Sequence, residues 1–481
     1  MKRRAGRLSV CSVIPRLVAF CLIAPVAAMS RADARDRTLT IAGSQAVPAA
    51  AMLDIMGVVT HFGWLDTPYG TRFPDLLDAL MRLGVTRVRD TVNERIPALA
   101  RVGVRTTLLV DPTDAPDVVR DRIERLNGAV ADSDGKRYPA VDAVEATNEP
   151  DTYWAKLGHS YAGQGYPDGV REFTRDLRAA LRSGPGTTSL VLIGPALSID
   201  ASPGRTPPAA LVGLGRWVDW GNIHPYPYNG GVVRGGPAYG GLHDERADGT
   251  HPSVTLDAAM RDATAADGLY PGRPLAATET GFPTALDYTS EDLQARYIPR
   301  LYAEYFRAGV RQTFVYQLMD AFPDPANRDP ELAFGLLRHD LSERPAFRTV
   351  SALTALLRGR SPPGDVPADL RLRLHVGTRE GFPDASRVHT LLLRRPGGAL
   401  LLLLWHEVSG EDASVRPRRR IDVPAMPATL RPNRHLRCTA HDLNGGRPRS
   451  APCGPGRPFT IGVPDAVVAV EISDRGRRHG E

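Results

Sequence analysis

This 481-residue chain is poor in cysteine and aromatic residues and carries little net charge once its N-terminus is set aside. Four cysteines leave no room for a disulfide scaffold, and Cys11 and Cys21 both precede Ala34. No paired His/Cys spacing suits zinc, no phosphate-binding P-loop is present, and no Gly-x-Ser-x-Gly elbow offers a serine nucleophile. The acidic stretch Asp320-Ala321-Phe322-Pro323-Asp324 with Asp329 lacks the ligand spacing of an EF-hand loop. No cofactor and no metal are therefore expected. Hydrophobic residues make up 42% and charged residues 24%, which is ordinary for a soluble globular protein.

The stretch from Met1 to Ala34 reads as a targeting segment. Lys2, Arg3, Arg4 and Arg7 precede the apolar run Leu17–Ala28, which is shorter than the ~20 residues a membrane span needs. Cleavage is expected after Ala28 or Ala34, giving a secreted or periplasmic protein, with an uncleaved anchor as the alternative. The formal charge of +6 falls to +1 when Lys2, Arg3, Arg4, Arg7 and Arg16 are removed by cleavage after Ala28. With no basic-aromatic interleaving, that excludes nucleic acid as a partner, and no membrane contact is expected beyond the leader. Cys438 and Cys453 then remain, and in an oxidising compartment they are expected to pair.

Between Leu53 and Leu357, short apolar runs alternate with amphipathic segments. Eight candidate strands lie near 55–59, 85–89, 105–110, 141–147, 189–194, 219–224, 274–279 and 312–318. Helical patterns follow most of them, and the fifth, near Pro207–Leu214, is poorly defined. Eightfold strand–helix alternation predicts a (β/α)8 TIM barrel over residues 50–358. A doubly wound open sheet is the rival, but the first strand lacks its Gly-x-Gly-x-x-Gly turn. Residues 359–368, with Ser361-Pro362-Pro363-Gly364-Asp365, read as a linker. Residues 369–481 show strands without helices, predicted near 370–376, 387–393, 399–405, 420–423, 436–442 and 466–472. They form an expected accessory antiparallel β-sandwich.

Two glutamates end barrel strands. Glu149 closes the fourth in Thr147-Asn148-Glu149-Pro150, and Glu279 closes the seventh in Thr278-Glu279-Thr280-Gly281. The C-terminal rim of such a barrel carries its chemistry, and two carboxylates there suit cleavage of a glycosidic bond. With these motifs the chain resembles the clan A retaining glycoside hydrolases. Within that clan, the family of β-xylosidases and exopolysaccharide endoglycosidases is a neighbour, and families of cellulase or β-mannanase type are others. The resemblance implies Glu149 as acid/base, Glu279 as nucleophile and Asn148 as a ligand of the sugar 2-hydroxyl. It also implies that Tyr226, in His224-Pro225-Tyr226, touches the nucleophile, and that Arg89 lies beside it, with Arg87 competing for that place. His61, Trp64, Trp154 and Tyr316 are further candidates for the wall of a sugar site, with His224 among the substrate-binding residues. The substrate expected is an oligo- or polysaccharide. A carbohydrate-binding barrel without catalysis is the alternative, although binding alone requires no carboxylate pair.

Overall fold

The computed structural model describes residues 35–130, 139–198, 208–227, 256–359, 369–382, 384–412 and 418–474. The leader, the linker at Ser361–Asp365 and the Gly-rich stretch Asn229–Gly241 lie outside these residues. Eight parallel strands form the barrel: β1 Met56–Val59, β2 Arg87–Asp90, β3 Arg105–Val110, β4 Val141–Ala146, β5 Val191–Ile193, β6 Gly221–Ile223, β7 Leu275–Thr280 and β8 Thr313–Val315. Their hydrogen-bonded order is β5-β4-β3-β2-β1-β8-β7-β6. A parallel bridge between Ile193 and Trp220, with Gly194 N donating to Trp220 O at 3.0 Å, closes the ring. The expected TIM barrel is the observed fold, and each predicted strand lies within a few residues of a real one.

The strands are buried because helices cover their outer faces, and the helices form where apolar residues recur at helical spacing. Phe73–Leu83 buries Phe73, Leu76, Ala79, Leu80 and Leu83, and Gly84 at φ +79° ends it. Inside the barrel, β1 has a glycine, Gly57, because a Cβ there would stand 2.5 Å from the Phe314 ring. The N-terminal mouth is closed by charge. Arg87 donates to the Asp54 carbonyl at 2.7 Å and pairs with Asp142. Two departures from the sequence expectation are local. Pro150–Leu157 is a short additional helix, and the described connection between β5 and β6 holds only the 3-10 turn Leu214–Trp217.

The β-sandwich draws strands from both sides of the barrel, which local periodicity does not show. Strand Arg37–Ala42, before the barrel, pairs antiparallel with Arg371–Val376 at the edge of a four-stranded sheet completed by Met426–Pro432 and Phe459–Val463. Val47–Pro48 joins the edge of the facing six-stranded sheet. The predicted strand 420–423 is replaced by a two-residue pairing, Glu411–Asp412 with Arg419–Arg420. Strands Met426–Pro432, Arg449–Cys453 and Phe459–Val463 are additions to those expected.

Strand Leu400–His406 joins the two domains. It is buried on both faces. Leu400, Leu402 and Leu404 pack in the sandwich core, while Leu401, Leu403 and Trp405 pack into the barrel's core cluster. The period of two thus assigns alternate side chains to different domains. Opposite lies helix Glu291–Arg307, which follows β7. Its Arg300 donates to Glu407 Oε2 at 3.0 Å and to the Asp465 carbonyl at 2.9 Å. Trp405 Nε1 donates to Glu304 Oε1 at 2.6 Å.

Cys438 and Cys453 form the expected disulfide, with Cα atoms 5.8 Å apart on neighbouring strands. Closing a loop of that length is worth about 3 kcal/mol in the chain-entropy model. Replacing both cysteines by alanine is expected to cost about 2–4 kcal/mol in urea unfolding of the sandwich. No change in the transition midpoint would show that the bridge adds nothing.

Candidate active site

The β4 end turns sharply to bring Asn148 and Glu149 over the barrel mouth. Thr147 and Glu149 have φ +46° and +36°, a region that a β-branched residue avoids and that costs about 1–3 kcal/mol per residue. The turn is held from outside: Thr147 N donates to Val110 O at 2.8 Å, and Trp154 Nε1 donates to Thr147 Oγ1 at 2.8 Å. Trp154 does this from the first turns of helix Pro150–Leu157, with only 1% of its surface exposed. It therefore does not line a sugar site. The sequence expectation is corrected, because the helix starts directly after Glu149 and turns position 154 inward.

Arg89 lies at the centre of the site. It points into the barrel one layer above Arg87, since residues two apart on a strand share a face. Arg87 is taken up by Asp54 and Asp142, which decides between the two arginines. Arg89 grips Glu145 with two nitrogens, Nε at 2.5 Å and Nη2 at 2.8 Å. Nη2 also donates to Asn148 Oδ1 at 2.7 Å, and Nη1 donates to Glu279 Oε1 at 2.6 Å. The planar fork thus holds three side chains from two strand ends in one arrangement. Asn148 accepts through Oδ1, no hydrogen bond from its Nδ2 is found among the described residues, and the residue lines the cavity.

Tyr226 Oη donates to Glu279 Oε2 at 2.8 Å. Burial alone would raise the pKa of Glu279, but Arg89, His224, the Tyr226 hydroxyl and His61 together hold it below the usual carboxylate value. His224 is buried and does not reach the cavity. Its Nδ1 lies 2.8 Å from Glu149 Oε1, and its Nε2 lies 2.8 Å from Thr278 Oγ1. Burial disfavours the imidazolium, yet Glu279 and Glu149 outweigh it and raise the His224 pKa. It holds one Glu149 oxygen and does not line the cavity, which corrects the sequence expectation of a substrate-binding residue. Behind it, Thr278 Oγ1 and Asn222 Nδ2 each donate to Glu145 Oε1, at 3.0 and 3.1 Å.

One carboxylate oxygen of Glu149, one ring nitrogen of His224 and one carboxylate oxygen of Glu279 lie within 4.8 Å of one another. Those three could hold a cation by distance. The Glu279 oxygens are already engaged by Arg89 and Tyr226, however, and the His224 nitrogens by Glu149 and Thr278, with the Arg89 guanidinium supplying compensating charge beside Glu279. A second cluster of this kind, Glu304, His389 and Glu407, lies at the domain junction, where Arg300 and Arg307 neutralise its carboxylates.

The pair opens into a cavity of ≈760 Å³ whose lining includes His61, Trp64, Tyr153, Tyr316, Glu331 and Phe334. His61 stacks on Trp64 with ring centroids 3.9 Å apart. Burial lowers the His61 pKa to about 4, so the ring is neutral near pH 7. Trp64 is 38% exposed at the mouth. Tyr316 meets His61 and Phe334 edge-on. Glu145, Thr278, Asn222, Glu331 and Phe334 join the site without having been singled out by the sequence pattern. Glu145 alone leaves a signal there: a charge inside an apolar strand, four positions before Glu149.

No family model matches the chain, and no curated protein matches it. Among solved structures, a family 39 glycoside hydrolase from the gut symbiont Bacteroides cellulosilyticus WH2 is similar at TM-score 0.53 and 14% identity. The match covers 90% of this chain and 82% of that one. A glucosidase from Croceicoccus marinus is similar at TM-score 0.52 and 14% identity, over 89% of this chain and 98% of that one. At such identity the likeness is one of fold.

Removing Arg89 strands Glu145 as a buried charge. Arg89→Met should cost about 3–5 kcal/mol in denaturant unfolding, and adding Glu145→Leu should recover much of that loss. A single-variant loss below ~1 kcal/mol would be no more than a surface ion pair contributes and would contradict the buried network.

Proposed function

We propose that this chain is an exported retaining glycoside hydrolase acting on an oligo- or polysaccharide. The observation that carries the reading is the pair of glutamates, Glu149 and Glu279, with oxygens within 4.8 Å and unequal surroundings. Retaining pairs stand ~5–5.5 Å apart and inverting pairs ~6.5–9.5 Å, so the short separation favours retention. The named activities of the two similar structures, both acting on glycosides, agree with it. Export is supported by the N-terminal leader pattern and by the disulfide.

In this mechanism Glu279, kept ionised by Arg89 and Tyr226, attacks the anomeric carbon. The bond to the leaving oxygen breaks, and that oxygen takes the proton of the Glu149 carboxyl. Glu149, now a carboxylate, removes a proton from water, and the hydroxyl displaces Glu279 from the anomeric carbon. Configuration is restored and both glutamates return to their starting states. The contact from His224 fixes one Glu149 oxygen and leaves the other for the proton. Asn148 Nδ2 is the donor placed for a sugar hydroxyl, because Arg89 holds its oxygen.

The two glutamates should fail differently. On a panel of aryl glycosides, Glu279→Ala should lose all turnover, since no covalent intermediate forms. Glu149→Ala should retain the first step on substrates with good leaving groups, and azide should restore turnover by attacking the intermediate. Equal loss in both variants without rescue would refute the assignment. Tyr226→Phe removes a charge-assisted hydrogen bond worth about 1.5–3 kcal/mol, or roughly 10–150-fold in rate. Its acid limb in kcat/KM should move to higher pH, because Glu279 loses a contact that lowers its pKa; an unmoved limb would exclude that role.

A further inference from the structure

Beside the catalytic cavity lies a second one of ≈720 Å³, between the loops that follow β2 and β3 and the helix Pro116–Gly128. The two cavities share Thr91, Leu109 and Asp111 as wall residues. They are therefore neighbours across the β3 end, with the half-buried Asp111 carboxylate between them. Thr147 Oγ1 contacts Asp111 Oδ1 at 3.4 Å, so this carboxylate adjoins the same turn that aims Asn148 and Glu149.

The second cavity sets mixed donors and acceptors beside the aliphatic Val92, Leu109, Val110 and Leu126. Arg122 Nη1 donates to Asp114 Oδ2 at 2.6 Å, which sets a cation and an anion side by side in its wall. Asn93 is fixed by donating to Thr91 O at 2.8 Å and accepting from Arg95 N at 3.0 Å. Thr91 and Thr113 add hydroxyls. Its lining has no aromatic ring, and Glu94, Asp111 and Asp114 face Arg122 and Arg125 with neither sign dominant. Such a wall suits groups that donate and accept alike, as ring hydroxyls do, and suits neither an aromatic ligand nor a strongly charged one. Each cavity has the size of a small-molecule site, ~300–1,000 Å³, so together they exceed what one sugar fills.

We propose that the substrate is a chain of neutral sugars running from the Glu149–Glu279 pair across Asp111 into this second cavity, which binds a distal unit. This rests on the glycosidase reading and extends it: specificity is for chain length, read at Asn93, Thr113 and Arg122. The test is calorimetric titration of the full-length Glu279→Gln protein, which binds without turnover. The probes are gluco-, manno-, xylo- and galacto-oligosaccharide ladders of one to five units. At least one ladder should tighten tenfold or more between one and three units. Adding Thr113→Trp, a loop position whose indole fills the cavity, should bring that ratio to near one. Arg122→Ala should reduce it several-fold. Using the ratio cancels any general loss of folded protein. The proposal is overturned if no ladder tightens with length or if the ratio survives Thr113→Trp. Hydrolysis of aryl glycosides by the wild type reads the parent hypothesis separately. Length-dependent binding without hydrolysis would sink the glycosidase and keep the cleft, and hydrolysis without length dependence would do the reverse.

Discussion

The buried ion pair between Arg89 and Glu145 is the constraint on which the site depends. A guanidinium inside a barrel is tolerable only where its charge and most of its donors are satisfied, and here four contacts meet that condition. Two of them go to Glu145, which fixes the plane of the fork. The remaining directions then determine where Asn148 and Glu279 can stand. Glu145 is in turn held by Thr278 and Asn222, so strands β2, β4, β6 and β7 all meet at one buried carboxylate. The same atoms set the electrostatics. Arg89 lowers the Glu279 pKa, and Glu279 and Glu149 raise that of His224 against the effect of burial. Structure and charge at the mouth of the barrel have one origin.

The sandwich acts at one remove. It covers helix Glu291–Arg307, which packs against β8 and whose Tyr305 hydroxyl lies 3.1 Å from Thr280 Oγ1 at the end of β7. The joint is apolar on alternate residues of Leu400–His406 and polar through Arg300 and Glu304. The N-terminal segment Arg37–Pro48 belongs to the sandwich sheets, so the chain leaves that domain, forms the barrel and returns. No described sandwich residue lines the cavity beside Glu149 and Glu279.

Much of this is legible in the sequence, for physical reasons. Barrel strands buried on both faces are short, largely apolar runs, so Val141–Ala146 and Leu275–Thr280 stand out. Glu149 and Glu279 are visible because a charge at the end of such a run must face a mouth or a partner. Trp154 is misread because a tryptophan near a strand-end glutamate looks the same whether it stacks on sugar or props a turn. His224 gives no sign that both ring nitrogens are used inside the protein. Arg37–Ala42 cannot be read at all, since its partner Arg371–Val376 follows the entire barrel in the chain. The strands Met426–Pro432 and Phe459–Val463 contain proline or glycine, which weakens their pattern. Pairing between distant segments is decided by tertiary packing, which local periodicity does not record.

The central claim is that Glu279 forms a bond to the sugar while Glu149 only moves protons. A 2-deoxy-2-fluoro aryl glycoside of the sugar that the enzyme cleaves traps such an intermediate, because the fluorine slows both its formation and its breakdown while a good leaving group restores the rate of formation alone. Mass spectrometry of the intact protein should show one added fluorosugar, and peptide mapping should place it on Glu279. A label on Glu149, or hydrolysis that proceeds with inverted product and no adduct, would contradict the account.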